Sequence, residues 1–273
     1  MADAADAALA LVTLAAETMF SDPGDLAPPL DPWLGSQGWT LCGHITAVDA
    51  ILRDDAPAWV ADAERVYFGC LIERQGSYVV AIRGTERAEE WVEDIEGQMT
   101  QHPVAGRVHA GFWDLYRSMQ LRTPTGAEAP LIAGLRAAVP AGAPLTFTGH
   151  SLGAPLATYG AAEMGPPAVG RFYASPRPGN GDFSAYAGQR VPDHIVYVNP
   201  DDIVTRVPFG FGYTQLPVVA SLRSAGLIRP NPLCLHHAAS YSDLLDHGTA
   251  AAFLAQAKAE AAEYLACFLR VAG

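Results

Sequence analysis

The pentapeptide Gly149-His150-Ser151-Leu152-Gly153 carries the most direct chemical meaning in this chain. A serine hydroxyl attacks an acyl carbon only when a base takes its proton, and when a sharp turn presents it to the substrate. Here the pentapeptide follows a β-type run, Leu145 to Thr148, and opens an alanine-rich helical stretch, Leu152 to Met164. That is a strand–turn–helix elbow. Gly149, Gly153 and Ala154 are small enough to let strand and helix approach each other. A helix that begins beside Ser151 also aims free N–H groups and its positive dipole end at a developing oxyanion. Gly-x-Ser-x-Gly alone arises by chance in roughly one chain in ten of this length. The setting, more than the pentapeptide, separates this serine from an incidental one in a glycine-rich turn.

The elbow needs a histidine and a carboxylate downstream, because α/β hydrolases order the three as Ser, acid, His. Asp201 and Asp202 follow a strand-like run, Ile195 to Val198, at Asn199-Pro200. His236 and His237 come next, ahead of a closing helix read over Ala250 to Val271. Any one of these residues taken singly reads as a solvated aspartate or a satisfied histidine. Their joint order after the elbow makes Asp201 or Asp202 the candidate acid and His236 or His237 the candidate base.

The elements that must position them alternate. Val66 to Glu73 and Tyr78 to Arg83 read as a β-hairpin, Phe112 to Leu121 and Ala129 to Val139 as helices, and Val169 to Tyr173 as a strand. Strands alternating with helices predict an α/β fold, a mostly parallel central sheet with an antiparallel start and helices on both faces. No polar linker divides the 273 residues, so 1–273 reads as one domain. The formal net charge is −12 and no Lys/Arg block occurs, which argues against nucleic acid and acidic lipid as partners. A neutral ester or lipid, met at a lipid–water interface or in solution, stays compatible.

Met1 to Phe20 carries Asp3 and Asp6 where a secretory signal needs positive charge, and its apolar run ends at Glu17. It reads as an amphipathic first helix, with no signal peptide, no transmembrane segment and a soluble chain. Cys42, Cys70, Cys234 and Cys267 form no metal or redox pattern. For Cys70 in a strand and Cys267 on the closing helix a buried free thiol is the default, and the spacing leaves one or two disulfides open. No cofactor or metal is called for, and the oligomeric state is not legible.

Five ordered segments resemble the class 3 lipase family, the fungal and plant-type triacylglycerol lipases with an α/β-hydrolase fold. They are Ala81-Ile82-Arg83-Gly84-Thr85 with Glu90-Trp91 and Asp94, Val108-His109-Ala110-Gly111-Phe112, Gly149 to Gly153, Ser175 to Asn180, and Asp202-Ile203-Val204. The resemblance implies Ser151 as nucleophile, Asp202 as acid, and Thr85 with Leu152 as oxyanion donors. It favours His236 over the alternative base His237, because Tyr241 stands five residues after His236. His109 reads as structural or rim-lining, and neither His150 nor His247 as the base. The family lid would span about 86–106, but Glu86, Glu89, Glu90, Glu93, Asp94 and Glu96 leave it little apolar surface. Residues 209–213 and 216–222 are a second candidate cover. The implied activity is a carboxylic-ester hydrolase working through an acyl-enzyme. An acyltransferase with the same triad fits the same residues equally, because exclusion of water from the closed site decides between the two, whereas a non-catalytic scaffold would not need the complete set.

Overall fold

The structure is a computed structural model that describes residues 4–22, 24–48, 65–84, 98–210, 212–256 and 263–269. The strands are β1 (Thr40–Val48), β2 (Arg65–Arg74), β3 (Ser77–Ile82), β4 (Met99–Gln101), β5 (Arg107–His109), β6 (Gln120–Arg122) and β7 (Glu128–Pro130). They continue with β8 (Leu145–His150), β9 (Val169–Tyr173), β10 (Gly179–Asn180), β11 (His194–Val198), β12 (Tyr213–Thr214) and β13 (Val219–Ser221). Nine of them form one sheet in the order β13-β11-β9-β8-β3-β2-β1-β6-β7. From β3 to β13 every pairing is parallel, and from β3 to β7 every pairing is antiparallel. A second, four-stranded sheet has the order β12-β10-β5-β4. The α/β fold is as expected.

Side chains alternate across the sheet because successive residues of a strand point to opposite faces. In β3, Val80 and Ile82 enter one core, whereas Val79 and Ala81 enter the other. Helices Ala110–Arg117, Leu131–Ala138, Gly153–Met164 and Gly181–Arg190 cover the first face. Helices Ala4–Thr18, Ala238–Leu245 and His247–Leu254 cover the second. In β2 the alternation changes phase beside Gly69, where the register with β1 shifts. A Cβ at Gly69 would lie 2.1 Å from Ala81 O, so only glycine fits there.

The structure differs from the sequence reading in four places. The first helix, Ala4–Thr18, is buried along most of its length, and Asp6 is not a surface charge. Its carboxylate accepts from Arg171 Nε at 3.0 Å and from the Tyr197 hydroxyl. The expected helix Phe112 to Leu121 ends at Arg117, and Gln120–Arg122 is a strand pairing with β1, itself unexpected. The closing helix is not continuous: His247–Leu254 is helical, and Glu263–Cys267 is a separate 3₁₀ turn. Cys267 is disulfide-bonded to Cys234, not a free thiol, and this staples the last described residues to the segment just before His236. Cys70 is a buried free thiol, which burial pushes up to about 12. Among the described residues, no helix is long and apolar enough to cross a membrane.

Candidate active site

Ser151 lies between β8 and the helix Gly153–Met164, in the left-handed region at φ 53°. A side chain rarely takes that conformation unless its surroundings impose it. Its N–H donates to Tyr173 O on β9 at 3.0 Å, and its C=O accepts from Ala154 N at 3.0 Å. Glycine is required on both sides for close approach. A Cβ at Gly149 would fall 2.3 Å from Gly153 O, and one at Gly153 would fall 2.2 Å from Ile82 O. The elbow is therefore wedged between its own helix and β3. Ser151 is fully buried (0 %).

Asp202 and His236 come from segments that follow strands of the parallel half of the sheet, a loop after β11 and a short helix after β13. Asp202 follows β11 and caps the 3₁₀ turn Ile203–Arg206, its Oδ1 accepting from Val204 N at 3.0 Å. Its Oδ2 accepts from the Tyr241 hydroxyl at 2.7 Å and faces His236 Nδ1 at 2.9 Å. His236 ends the short helix Pro232–His236, and its Nε2 lies 2.9 Å from Ser151 Oγ. All three side chains are buried. An aspartate that accepts at Nδ1 fixes the ring tautomer, leaving the Nε2 lone pair directed at the hydroxyl. The arrangement can carry a proton from serine to imidazole with the carboxylate as orienter.

The alternative candidates stand elsewhere. His237 is the N-cap of Ala238–Leu245, its Nδ1 accepting from Ala239 N at 3.1 Å while its ring stacks on Tyr264. Burial, with His150 and His236 nearby, holds it well below the usual histidine range. Asp201 is exposed and accepts from Ser224 Oγ at 2.7 Å. Leu152 is the N-cap of the elbow helix, where backbone N–H groups have no intrahelical acceptor. Thr85 and 86–97 of the expected lid lie outside the described residues. The remainder of the expected lid is tied down, since Met99–Gln101 pairs with β5. Within the second expected cover, Leu216 is buried in the core, and Val219–Ser221 is an edge strand of the large sheet. Residues 216–222 are thus built into the fold and do not form a cover.

His109, read as structural or rim-lining, caps the helix Ala110–Arg117: its Nδ1 accepts from Phe112 N at 3.2 Å, and burial lowers it to about 4. His247 pairs with Asp243. Two supporting residues escaped the reading of the residues themselves. Tyr241 joins Asp202 to the strand end, because its hydroxyl also accepts from Asn199 N at 3.0 Å. Asn199 in turn donates from Nδ2 to Leu235 O at 3.1 Å, tying the acid's loop to the segment that carries His236. Only the family spacing marked Tyr241, and nothing in the sequence marked Asn199. Among the described residues, no group of three or more His, Cys, Asp or Glu is placed to hold a metal ion.

Residues 79–211 match the sequence model of the family described as lipase (class 3). The match takes in 133 of the 273 residues, just under half of the chain, and over them the chain is similar to the class 3 lipases. It is 34% identical over 147 residues to secreted mono- and diacylglycerol lipase 1 of Fusarium solani, covering 50% of this chain and 42% of that protein. It is 27% identical over 209 residues to phospholipase A(1) DAD1, chloroplastic, of Arabidopsis thaliana, covering 64% of this chain and 46% of that one. The chain therefore spans less than half the length of these two curated relatives. Its fold is that of a lipase from Rhizopus microsporus var. chinensis (TM-score 0.57, 20% identity, covering 80% of this chain and 72% of that one). A mutant form of MDLA from Penicillium cyclopium aligns comparably (TM-score 0.54, 22% identity, 80% and 76% covered).

Proposed function

We propose that this chain is a serine hydrolase of carboxylic esters, with acylglycerols and related glycerolipid esters as its substrate class. The observation that carries the reading is the continuous path from Ser151 Oγ through His236 to Asp202, two contacts of 2.9 Å each. In this reading His236 Nε2 takes the hydroxyl proton as Oγ attacks the acyl carbon. His236 Nδ1–H meanwhile stays donated to Asp202, which stabilises the imidazolium. The imidazolium then protonates the departing alcohol as the ester C–O bond breaks, leaving an acyl-serine. Water, deprotonated by the same nitrogen, releases the acid and restores the serine.

The oxyanion assignment combines two supports. Leu152 offers its N–H at the start of the elbow helix, and Thr85 takes the second position from its family motif. Each such donor contributes about 3–4 kcal/mol to the transition state. The substrate class is supported by the relatives named above, whose names refer to mono- and diacylglycerols and to phospholipids. The acidic 86–96 segment favours short or medium acyl chains over long ones held at an interface. Because Ser151 has no exposed surface, an ester reaches it only when neighbouring groups move.

The test is hydrolysis of p-nitrophenyl esters from acetate to palmitate, with and without an emulsified interface. Ser151→Ala is expected to lower kcat/KM by about four to six orders of magnitude. Near-normal turnover by that variant would sink the proposal. A sharp rise in rate above the substrate's solubility limit would contradict the short-chain preference alone.

A further inference from the structure

We infer that His150, inside the elbow itself, positions the base, its Nε2–H holding the backbone carbonyl of His236. This rests on the reading of Ser151, His236 and Asp202 given above. His150 Nε2 lies 2.7 Å from His236 O, a bond that joins residues 86 apart in the chain. A carbonyl oxygen only accepts, so Nε2 must carry the proton and Nδ1 must be the bare lone pair. That Nδ1 is buried and has no hydrogen-bond partner among the described residues. One strong bond thus sets the ring's tautomer and direction. Its acceptor has no alternative within its own helix. His236 closes the five-residue turn Pro232–His236, and the last carbonyls of a helix have no intrahelical donor.

The consequence is a two-point grip. Residue 150 holds the backbone of His236, and residue 151 meets its ring at Nε2, 2.9 Å from Oγ. The nucleophile's own strand therefore sets where the base stands. His236 cannot slide away from Ser151 without breaking the carbonyl contact as well. His150 also suits a place beside an imidazole that becomes cationic during turnover. Burial, with His236 close by, lowers it to about 3, so it stays neutral. The two ring centres are 4.8 Å apart.

The experiment compares two amides of similar bulk. In His150→Gln the amide nitrogen overlays the histidine Nε2 and can still reach the carbonyl. In His150→Asn it overlays Nδ1 and falls short. We expect kcat within about threefold of the parent for H150Q and about 100-fold lower for H150N, the cost of a base displaced by about 1 Å. KM should stay within about twofold in both. The second readout does not depend on turnover. The far-downfield proton resonance of His236 Nδ1–H against Asp202 should persist in the parent and H150Q and vanish in H150N. His150→Ala is the substitute if H150N fails to fold.

Equal kcat and equal resonances in the Gln and Asn variants would overturn the inference, as would equal losses in both with a matching fall in Tm. A parent protein that hydrolyses no ester and takes no fluorophosphonate label would instead defeat the hydrolase reading. The resonance comparison would still decide the role of His150.

Discussion

Ser151 on one side of the site, and Asp202 with His236 on the other, are held by different kinds of force. The serine is fixed by backbone sterics, at φ 53° between two glycines that leave no space for a Cβ. Asp202 stands in the loop after β11 and His236 at the end of a five-residue helical turn, and hydrogen bonds through Tyr241, Asn199 and His150 hold them. Steric fixing is local and all-or-none, whereas a hydrogen-bonded loop can lose one contact and keep the rest. Substitutions on the serine side should therefore be abrupt, and those on the other side graded.

The largest expected effect is on the serine side. Gly153→Ala places a methyl group 2.2 Å from Ile82 O, against backbone that cannot give. Overpacking of this kind costs about 3 kcal/mol or more, and Tm should fall by roughly 10 °C. Ester hydrolysis should fall with it. A variant that melts within a degree or two of the parent would break the contrast.

Acid is the next largest. His150 is held at about 3 and His109 at about 4 in the folded chain, against 6.5 for the free side chain, in both cases chiefly by burial. The unfolded chain thus binds more protons than the folded one below pH 6.5. Stability conferred by their neutrality is full above that pH and is lost as pH falls toward 4 and 3. The unfolding free energy in urea should drop by about 1.4 kcal/mol per pH unit for each such histidine. A flat profile between pH 6.5 and 4 would contradict their burial in neutral form.

Tyr241→Phe should be the mildest change. It removes one donor to Asp202 Oδ2 and leaves Asn199 N–H without its hydroxyl acceptor, while the His236 contact stays. A loss of about 1–2 kcal/mol in stability and about tenfold in kcat is expected. A collapse as deep as that of Gly153→Ala would show that both sides are equally brittle.

The same contrast explains what was legible in the sequence. A steric constraint is written locally, so Gly149 and Gly153 flanking Ser151 after an apolar strand give the elbow directly. The hairpin β2–β3 and strands β8 and β9 were legible too, because apolar runs punctuated by Gly and Ser have few other readings. Long-range hydrogen bonds are not written locally. Nothing near His236 or His237 says which ring turns inward, and only the spacing to Tyr241 leaned toward His236. β1 escaped because Cys42, Gly43, His44 and Thr46 dilute its apolar pattern. The disulfide escaped because its partners are 33 residues apart on segments that look independent.

Whether Ser151 is activated by His236 is tested by labelling with a fluorophosphonate followed by peptide mapping, in the parent, His236→Ala and His237→Ala. A reactive serine needs both the elbow and the one histidine that faces it. A single adduct on Ser151 is expected in the parent, undiminished in H237A and nearly abolished in H236A. An adduct on another serine, or loss of labelling in H237A but not in H236A, would contradict it.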